Sequence, residues 1–460
     1  MAQELIISIS GMRGLIGENL FPETAAAYGC AFGTFLRQRH PGKSHLTVAV
    51  GRDSRPSGHM IFSSVAAGLT ACGIDVVDLG ICSTPGVGIM LRDLCCAGGV
   101  VITASHNPAQ YNGIKFLLED GIAPPKDKAE QIIQIFQSRQ FLFTDALQCG
   151  TIACNNQTHR VHVDKVLAIV QPESIAKQGF KVVLDSVNGA GGMGGRRLLE
   201  GLGCDVVPMN PEPTGLFAHT PEPTQENLVT LCEQVKACGA AVGFAQDPDA
   251  DRLAIVDENG TYIGEEFTLA LAARHVFSQM KGAAAANLST SRMIDDLAQA
   301  AGCSVIRTPV GEAHVAQAMV AHHCVIGGEG NGGIIDLRVG PVRDSFVGMA
   351  LILQLMADTG KPISQLAAEV GGYSIYKSKY PADKQQAATI IEQAKGLFTD
   401  ARINTSDGCR FDLADGWIHI RTSNTEPIMR VIIETKCADA AKRYNQAVEE
   451  ICRTVLNKSC

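Results

Sequence analysis

The 460-residue chain carries 16 cysteines, yet no two of them stand at C-x-x-C spacing. Thiols scattered in this way make neither a metal clip nor a disulfide framework, and the adjacent Cys95 and Cys96 are no better placed. They read as small buried hydrophobes of a protein kept in a reducing compartment. Basic residues are also short, with 39 Lys and Arg against 47 Asp and Glu and a net charge of −8. That balance offers no sequence-independent grip on nucleic acid, and an anionic substrate would need local basic groups. Long apolar runs are missing too. "VGMALILQLMA" (347–357) is far too short to cross a bilayer. The opening "MAQELIISISGMRG" has neither the basic region nor the apolar core of a signal peptide. The expectation is a cytoplasmic protein without a membrane or nucleic-acid partner. Charged residues at 19% and hydrophobic ones at 46% belong to a folded chain. Its length is that of roughly three or four domains.

What is present is a pattern used three times. "LTVAVGRDSRPSG", "KVVLDSVNGAGG" and "AAAANLSTSRM" each read as a strand and a polar loop. Each is followed by a small-residue helix, a glycine (Gly73, Gly203, Gly302) and a second strand. These are βαβ units, with the glycines at helix C-termini. Downstream of each comes a strand-loop-strand with a polar, glycine-rich loop: "TASHNPAQYNG" (103–113), "DPDADR" (247–252) and "GEGNGG" (328–333). The reading is α/β: three similar mixed-sheet α/β domains, each presenting one loop at strand ends, where open sheets bind ligands. The last ninety or so residues depart from it. "GWIHIRTSNTEPIMRVIIETK" gives two strands around a polar loop, then a helix near Ala438, which predicts a C-terminal α+β domain. The expected domains span 1–150, 151–258, 259–370 and 371–460.

Each loop alone also reads as a solvated turn, so the chemistry lies in their combination. Ser105 stands among turn-formers at the tip of a strand. In an extended chain Asp247, Asp249 and Asp251 share one face, and three converging carboxylates call for a cation. An oxygen-only donor set suits Mg²⁺. Arg421 and Arg430 flank Thr422, Ser423, Asn424 and Thr425, the makings of a phosphate cradle. Glu329 and Asn331 are the polar side chains among four glycines, placed for vicinal sugar hydroxyls. "GMRGLIG" (11–17) puts Arg13 in a glycine-rich turn. "GAGGMG" (189–194) fits a dinucleotide fingerprint, but Asn210 stands where that reading wants an acid, so its glycines are read as helix-packing residues. A serine, a cation cage, a diol reader and an anion cradle together describe phosphoryl transfer on a phosphosugar.

The constellation resembles the α-D-phosphohexomutase superfamily, which includes phosphoglucomutase, phosphomannomutase and phosphoglucosamine mutase. The resemblance runs over the whole chain with all four loops in order; "TASHNP" and D-x-D-x-D-R are its most specific marks. It implies a heart-shaped four-domain architecture. Ser105 would be phosphorylated in the active enzyme, sharing Mg²⁺ with Asp247, Asp249 and Asp251. A hexose 6-phosphate and a hexose 1-phosphate would interconvert through a hexose 1,6-bisphosphate that turns end for end. Arg421, Ser423, Asn424, Thr425 and Arg430 match the loop holding the non-reacting phosphate, and Glu329 and Asn331 the sugar loop. Arg13, Arg252 and Lys115 would surround the transferring group, with Lys115 a proton shuttle and His106 an orienting neighbour. The implied partner is a small phosphosugar, with room for a homodimer.

The departures are informative. Many relatives read E-x-S-G-H in the sugar loop, whereas here Asn331 replaces the serine and Gly333 the histidine. A general acid/base histidine from that loop is therefore absent. "GEGNGG", "TPEPTQENL" and "RTPVGEAHV" look most like the archaeal-type phosphoglucosamine mutase branch. Glu312 falls where glucosamine mutases are acidic and phosphomannomutases often carry histidine. A carboxylate near C2 would pair with an ammonium, a contact worth about 1.5–3 kcal/mol. A phosphomannomutase/phosphoglucomutase of broad specificity and a non-catalytic sugar-phosphate sensor are the rival readings.

Overall fold

The computed structural model describes residues 5–43, 45–422 and 428–456, which form four sheets. The first contains β1 (Ile6–Ser8), β2 (Gly11–Leu15), β3 (Leu46–Arg52), β4 (Ile74–Ile81), β5 (Gly98–Ile102), β6 (Tyr111–Leu118) and β7 (Ile152–Cys154), in the order β1-β2-β6-β5-β3-β4-β7. The second has β8 (Lys181–Asp185), β9 (Asp205–Met209), β10 (Val242–Gln246) and β11 (Leu253–Val256), ordered β11-β10-β8-β9. The third has β12 (Ala284–Asn287), β13 (Val305–Thr308), β14 (Ile326–Glu329) and β15 (Gly333–Ile335), ordered β13-β12-β14-β15.

These orders are one order. In each sheet the leading strand (β3, β8, β12) lies parallel to the next and to the third, and the fourth runs antiparallel to the third. The threefold pattern in the sequence is a threefold repeat of the fold. Its glycines behave as the helix ends require, since Gly73, Gly203 and Gly302 have φ of +74°, +75° and +68°. The three loops all join a third strand to a fourth. One element crosses the expected boundary near 150: β7 pairs parallel with β4 and so extends the first sheet.

The apolar run at 347–357 lies in the helix Ser345–Thr359, buried from Ser345 to Met356. Asp344 caps it by accepting from Phe346 N at 2.9 Å. It sits in a core shared by the second and third sheets, with Phe244, Leu253, Leu271 and Ile334 around it. Burial on all sides explains a helix with no polar face. Among the described residues no helix is long and apolar enough to cross a membrane. The described cysteines are free thiols; Cys30, Cys72, Cys82, Cys96, Cys324, Cys409 and Cys452 are buried, whereas Cys95, Cys149, Cys154 and Cys437 are exposed, against the expectation for all of them.

The fourth sheet is antiparallel throughout: β16 (Ser374–Pro381), β17 (Arg402–Asn404), β18 (Cys409–Asp412), β19 (Gly416–Thr422) and β20 (Ile428–Thr435), ordered β16-β20-β19-β18-β17. The helices Lys384–Leu397 and Ala438–Leu456 complete this α+β unit. Its inner faces make a separate core of Phe411, Ile418, Ile420, Val431 and Ile433. Trp417, the single tryptophan, is buried beneath Arg410 and donates to Glu434 Oε1 at 2.7 Å.

Candidate active site

Ser105 follows β5 in a loop that turns back into β6, and it adopts a left-handed backbone with φ +51°. A serine rarely takes that conformation unless its surroundings impose it. The result aims the side chain across the gap between two domains: Ser105 Oγ donates to Asp247 Oδ2 at 3.2 Å. His106 Nδ1 lies 3.3 Å from the same hydroxyl. Burial, with Arg252 and Arg13 nearby, pushes the His106 imidazole far below its ordinary value, so the ring is neutral at physiological pH.

The acidic loop joins β10 to β11. Its three aspartates converge, but not by the alternation of an extended strand: residues 248–250 form a tight turn with Ala250 at φ +55°. Asp247, Asp249 and Asp251 are fully buried, each offering a carboxylate oxygen within 4.8 Å of the others. Asp249 Oδ2 accepts from Thr84 Oγ1 at 2.7 Å and from Lys115 Nζ at 3.2 Å. Asp251 Oδ2 accepts from Arg343 Nη2 at 2.5 Å. Asp249 Oδ1 and Asp251 Oδ1 are left buried without a hydrogen-bond partner. Such orphaned carboxylate oxygens are costly and call for a cation, so this all-oxygen cluster fits a hard divalent metal.

The charges around the cluster act on its carboxylates unequally. Burial, together with Asp251 and Asp249, raises the Asp247 carboxyl well above its usual range. Burial opposes ionisation of Asp249 as well, but Lys115 and the Thr84 hydroxyl outweigh it and hold that carboxyl low. Burial also works against the Lys115 ammonium; Asp249, Asp251 and Glu312 override it and keep Lys115 charged. Lys115 projects from β6. Arg13 projects from β2, paired opposite Gly113, rather than from the turn expected of "GMRGLIG". The turn precedes it at residues 9–10, and the chain enters β2 through Gly11 with φ +108°. Arg252 Nη1 stands 3.9 Å from Glu222, which is equally far from His106 Nε2.

The third loop is built around a cation the sequence reading passed over. Arg343 Nη1 donates to Glu329 Oε2 at 2.6 Å, its Nη2 to Asp251, and its backbone N to Glu312 Oε1 at 2.6 Å. One guanidinium thus joins the acidic loop to the glycine-rich loop. Glu329 is buried and also accepts from Asn287 Nδ2 at 2.7 Å and Gly311 N at 3.2 Å. A sugar hydroxyl reaching Glu329 would have to displace a donor, and Asn331 Nδ2, at 3.5 Å, is the weakest held. Glu312 opens the helix Glu312–His322; burial raises its carboxyl against the pull of Arg343.

In the fourth domain Arg421 and Arg430 face each other in register on β19 and β20. Arg421 Nε donates to Asp407 Oδ2 at 3.1 Å, and the same oxygen accepts from Val310 N at 3.0 Å, beside Glu312 in the third domain. Ser423, Asn424 and Thr425 lie outside the described residues. The "GAGGMG" glycines pack as expected: a Cβ at Gly194 would meet the Phe346 ring at 2.6 Å, and one at Gly191 the Gln246 amide at 2.3 Å. Thr84, Arg55, Asn287 and Arg343 are neighbours of the site that sequence reasoning missed; each reaches it through tertiary contact, and no local motif marks them.

Family models match in sequence along the chain. They are phosphoglucomutase/phosphomannomutase alpha/beta/alpha domain I at 5–143, domain II at 160–260, domain III at 265–373 and the C-terminal domain at 377–451. A Thermococcus kodakarensis protein named phosphoglucomutase/phosphomannomutase is 38% identical, over 94% of this chain and 95% of its own. A probable phosphoglucosamine mutase of Methanopyrus kandleri is 35% identical, over 96% and 97%. The crystal structure of a phosphoglucomutase/phosphomannomutase family protein from Burkholderia thailandensis superposes with a TM-score of 0.87 at 26% identity, covering 98% of this chain and 97% of that one. With four domain types in order and relatives matched almost end to end, the chain belongs to the phosphoglucomutase/phosphomannomutase family.

Proposed function

We propose that the protein is a phosphohexomutase that interconverts hexose 6-phosphate and hexose 1-phosphate, with glucosamine 6-phosphate its preferred substrate. The carrying observation is the hydroxyl of Ser105 held 3.2 Å from Asp247 at the mouth of the acidic cluster. Ser105 carries the phosphoryl group, gives it to the sugar to form a hexose 1,6-bisphosphate, and takes back the other phosphoryl group after that intermediate turns round. Mg²⁺, held by Asp247, Asp249 and Asp251, supplies charge neutralisation for the phosphoryl oxygens when bound.

The chain's own residues do the rest. Arg13, Arg252 and Lys115 surround the moving phosphoryl group, and Lys115, charged in this setting, is placed to give a proton to a leaving oxygen. Neutral His106 orients the Ser105 hydroxyl. Arg421 and Arg430, with Ser423, Asn424 and Thr425, hold the non-reacting phosphate. Glu329 and Asn331 take the vicinal hydroxyls, the long contact between them being the one a hydroxyl replaces. Glu312 pairs with the ammonium at C2. Relatives named probable phosphoglucosamine mutase support that preference; one named phosphoglucomutase/phosphomannomutase supports broad specificity as the second reading.

The test compares kcat/KM on glucosamine 6-phosphate, glucose 6-phosphate and mannose 6-phosphate with a bisphosphate primer present. Intact mass should show chains heavier by one phosphate, absent in Ser105→Ala. Equal turnover of all three sugars, unchanged in Glu312→Gln, removes the glucosamine preference. A wild-type protein without phosphate or turnover removes the mutase.

A further inference from the structure

We infer that Arg55 is the positioning residue for Ser105, its guanidinium fixing the loop conformation in which the serine hydroxyl meets the acidic cluster. The inference rests on the reading of Ser105 as phosphoryl carrier.

Arginine has five N–H donors, and in Arg55 every one has an acceptor. Nε donates to Asp53 Oδ2 at 2.9 Å. Nη1 donates to the carbonyls of Pro108 at 2.5 Å and Tyr111 at 2.9 Å. Nη2 donates to those of Ser105 at 2.6 Å and Asn107 at 2.7 Å. Four of the five acceptors are thus backbone carbonyls, three in the loop that carries the serine and the fourth at Tyr111, where β6 begins. Arg55 is 2% exposed, so these carbonyls and one carboxylate replace water around a buried cation. A loop with its carbonyls turned elsewhere would leave that cation unsatisfied. Arg55 therefore selects the loop conformer, including the left-handed Ser105 backbone. Thr103 adds a second tie: its Oγ1 accepts from Ser105 N at 2.8 Å and donates to Asp53 Oδ2 at 2.7 Å.

The same short segment also reaches the other partner. Ser54 Oγ donates to Asn188 O at 2.7 Å, and Ala190 N donates to Pro248 O, inside the acidic loop, at 2.8 Å. The Phe217 ring covers the Arg55 guanidinium at 5.1 Å. Residues 53–55 therefore fasten both sides of the Ser105–Asp247 contact. Lysine keeps the charge but has three donors on a point-like ammonium, and it cannot reproduce the planar fork.

The decisive variant is Arg55→Lys in the full chain, assayed well below its own unfolding temperature. Misplacing a reacting group by about 1 Å costs on the order of a hundredfold in rate. The expected result is a fall in kcat of about that size, KM little changed, and less phosphate on Ser105 by intact mass. Arg55→Ala should regain activity with added guanidinium ion and not with ammonium. If Arg55→Lys cannot be purified folded, Thr103→Val, which leaves the arginine in place, should show the same split between kcat and KM. Wild-type kcat in Arg55→Lys, or in its substitute, overturns the inference, as does a loss that tracks unfolding temperature alone. A wild type with neither phosphate nor turnover defeats the functional reading as well, whereas an active wild type with an equally active Arg55→Lys defeats only the inference.

Discussion

Arg343 lays its aliphatic stem across Gly333: a Cβ built at 333 would stand 2.2 Å from Arg343 Cδ. Gly333 is the position where the E-x-S-G-H pattern has histidine. The missing side chain is what lets Arg343 reach Asp251 and Glu329 together. Gly333→Ala should therefore displace the arginine. Overpacking of this kind costs about 1–3 kcal/mol, and the unfolding temperature should fall with activity. Restoring histidine at 333 should do no better, because the space is taken. An alanine variant as stable and active as wild type would show that the stem yields easily.

Thr84 should prove part of the acidic loop's support. Its Oγ1 donates to Asp249 Oδ2 at 2.7 Å, and its backbone N donates to Asp249 O at 2.9 Å. Thr84→Val keeps the shape and the backbone bond while removing the hydroxyl. A hydrogen bond to a charged group is worth about 1.5–3 kcal/mol, and thermal unfolding should register a loss of that order.

Divalent cation should stabilise the fold as well as support turnover. A ligand bound to the native state alone adds about 2.7 kcal/mol at a hundred times its dissociation constant. The unfolding temperature should rise with Mg²⁺ in the wild type and stay flat in Asp249→Asn. Chelator should abolish activity and Mg²⁺ restore it. A wild-type curve indifferent to the metal would contradict the assignment of the cluster.

Glu266 predicts a pH dependence. Burial pushes its carboxyl up from 4.5 to about 8, with Lys377 pulling the other way. The folded state thus holds a proton that the unfolded chain releases near 4.5. Its contribution to stability is full below that value and is lost as pH rises through about 8. Glu266→Gln, which mimics the protonated form, should flatten this part of the stability profile and gain most at the alkaline end. Parallel profiles for the two proteins would argue against a proton on Glu266.

The sequence exposed the repeats, the three strand-joining loops and the helix from Ala438, because each has a local signature: periodicity, glycine after a helix, polar residues between apolar runs. The aspartate trio was legible from spacing, although the mechanism differs. A tight turn through Ala250 brings the carboxylates together, and tertiary contact decides that, not alternation. Arg55, Thr84 and Arg343 stayed hidden for one reason: their partners lie 50, 165 and 92 positions away. Arg13 looked like a turn residue because its glycines are local, while the strand pairing that makes β2 comes from residues near 113.

One strand order, built three times, has a consequence for how such a chain can change. The slot between the third and fourth strands holds a serine in one copy, an acid trio in the next and a glycine-framed carboxylate in the last, on scaffolds that share this strand order. Each insert can then change on its own scaffold, but Arg343 bonds both Glu329 and Asp251, so a swap of the segment between β14 and β15 should alter turnover together with sugar choice. The Ser105–Asp247 contact takes two copies to make.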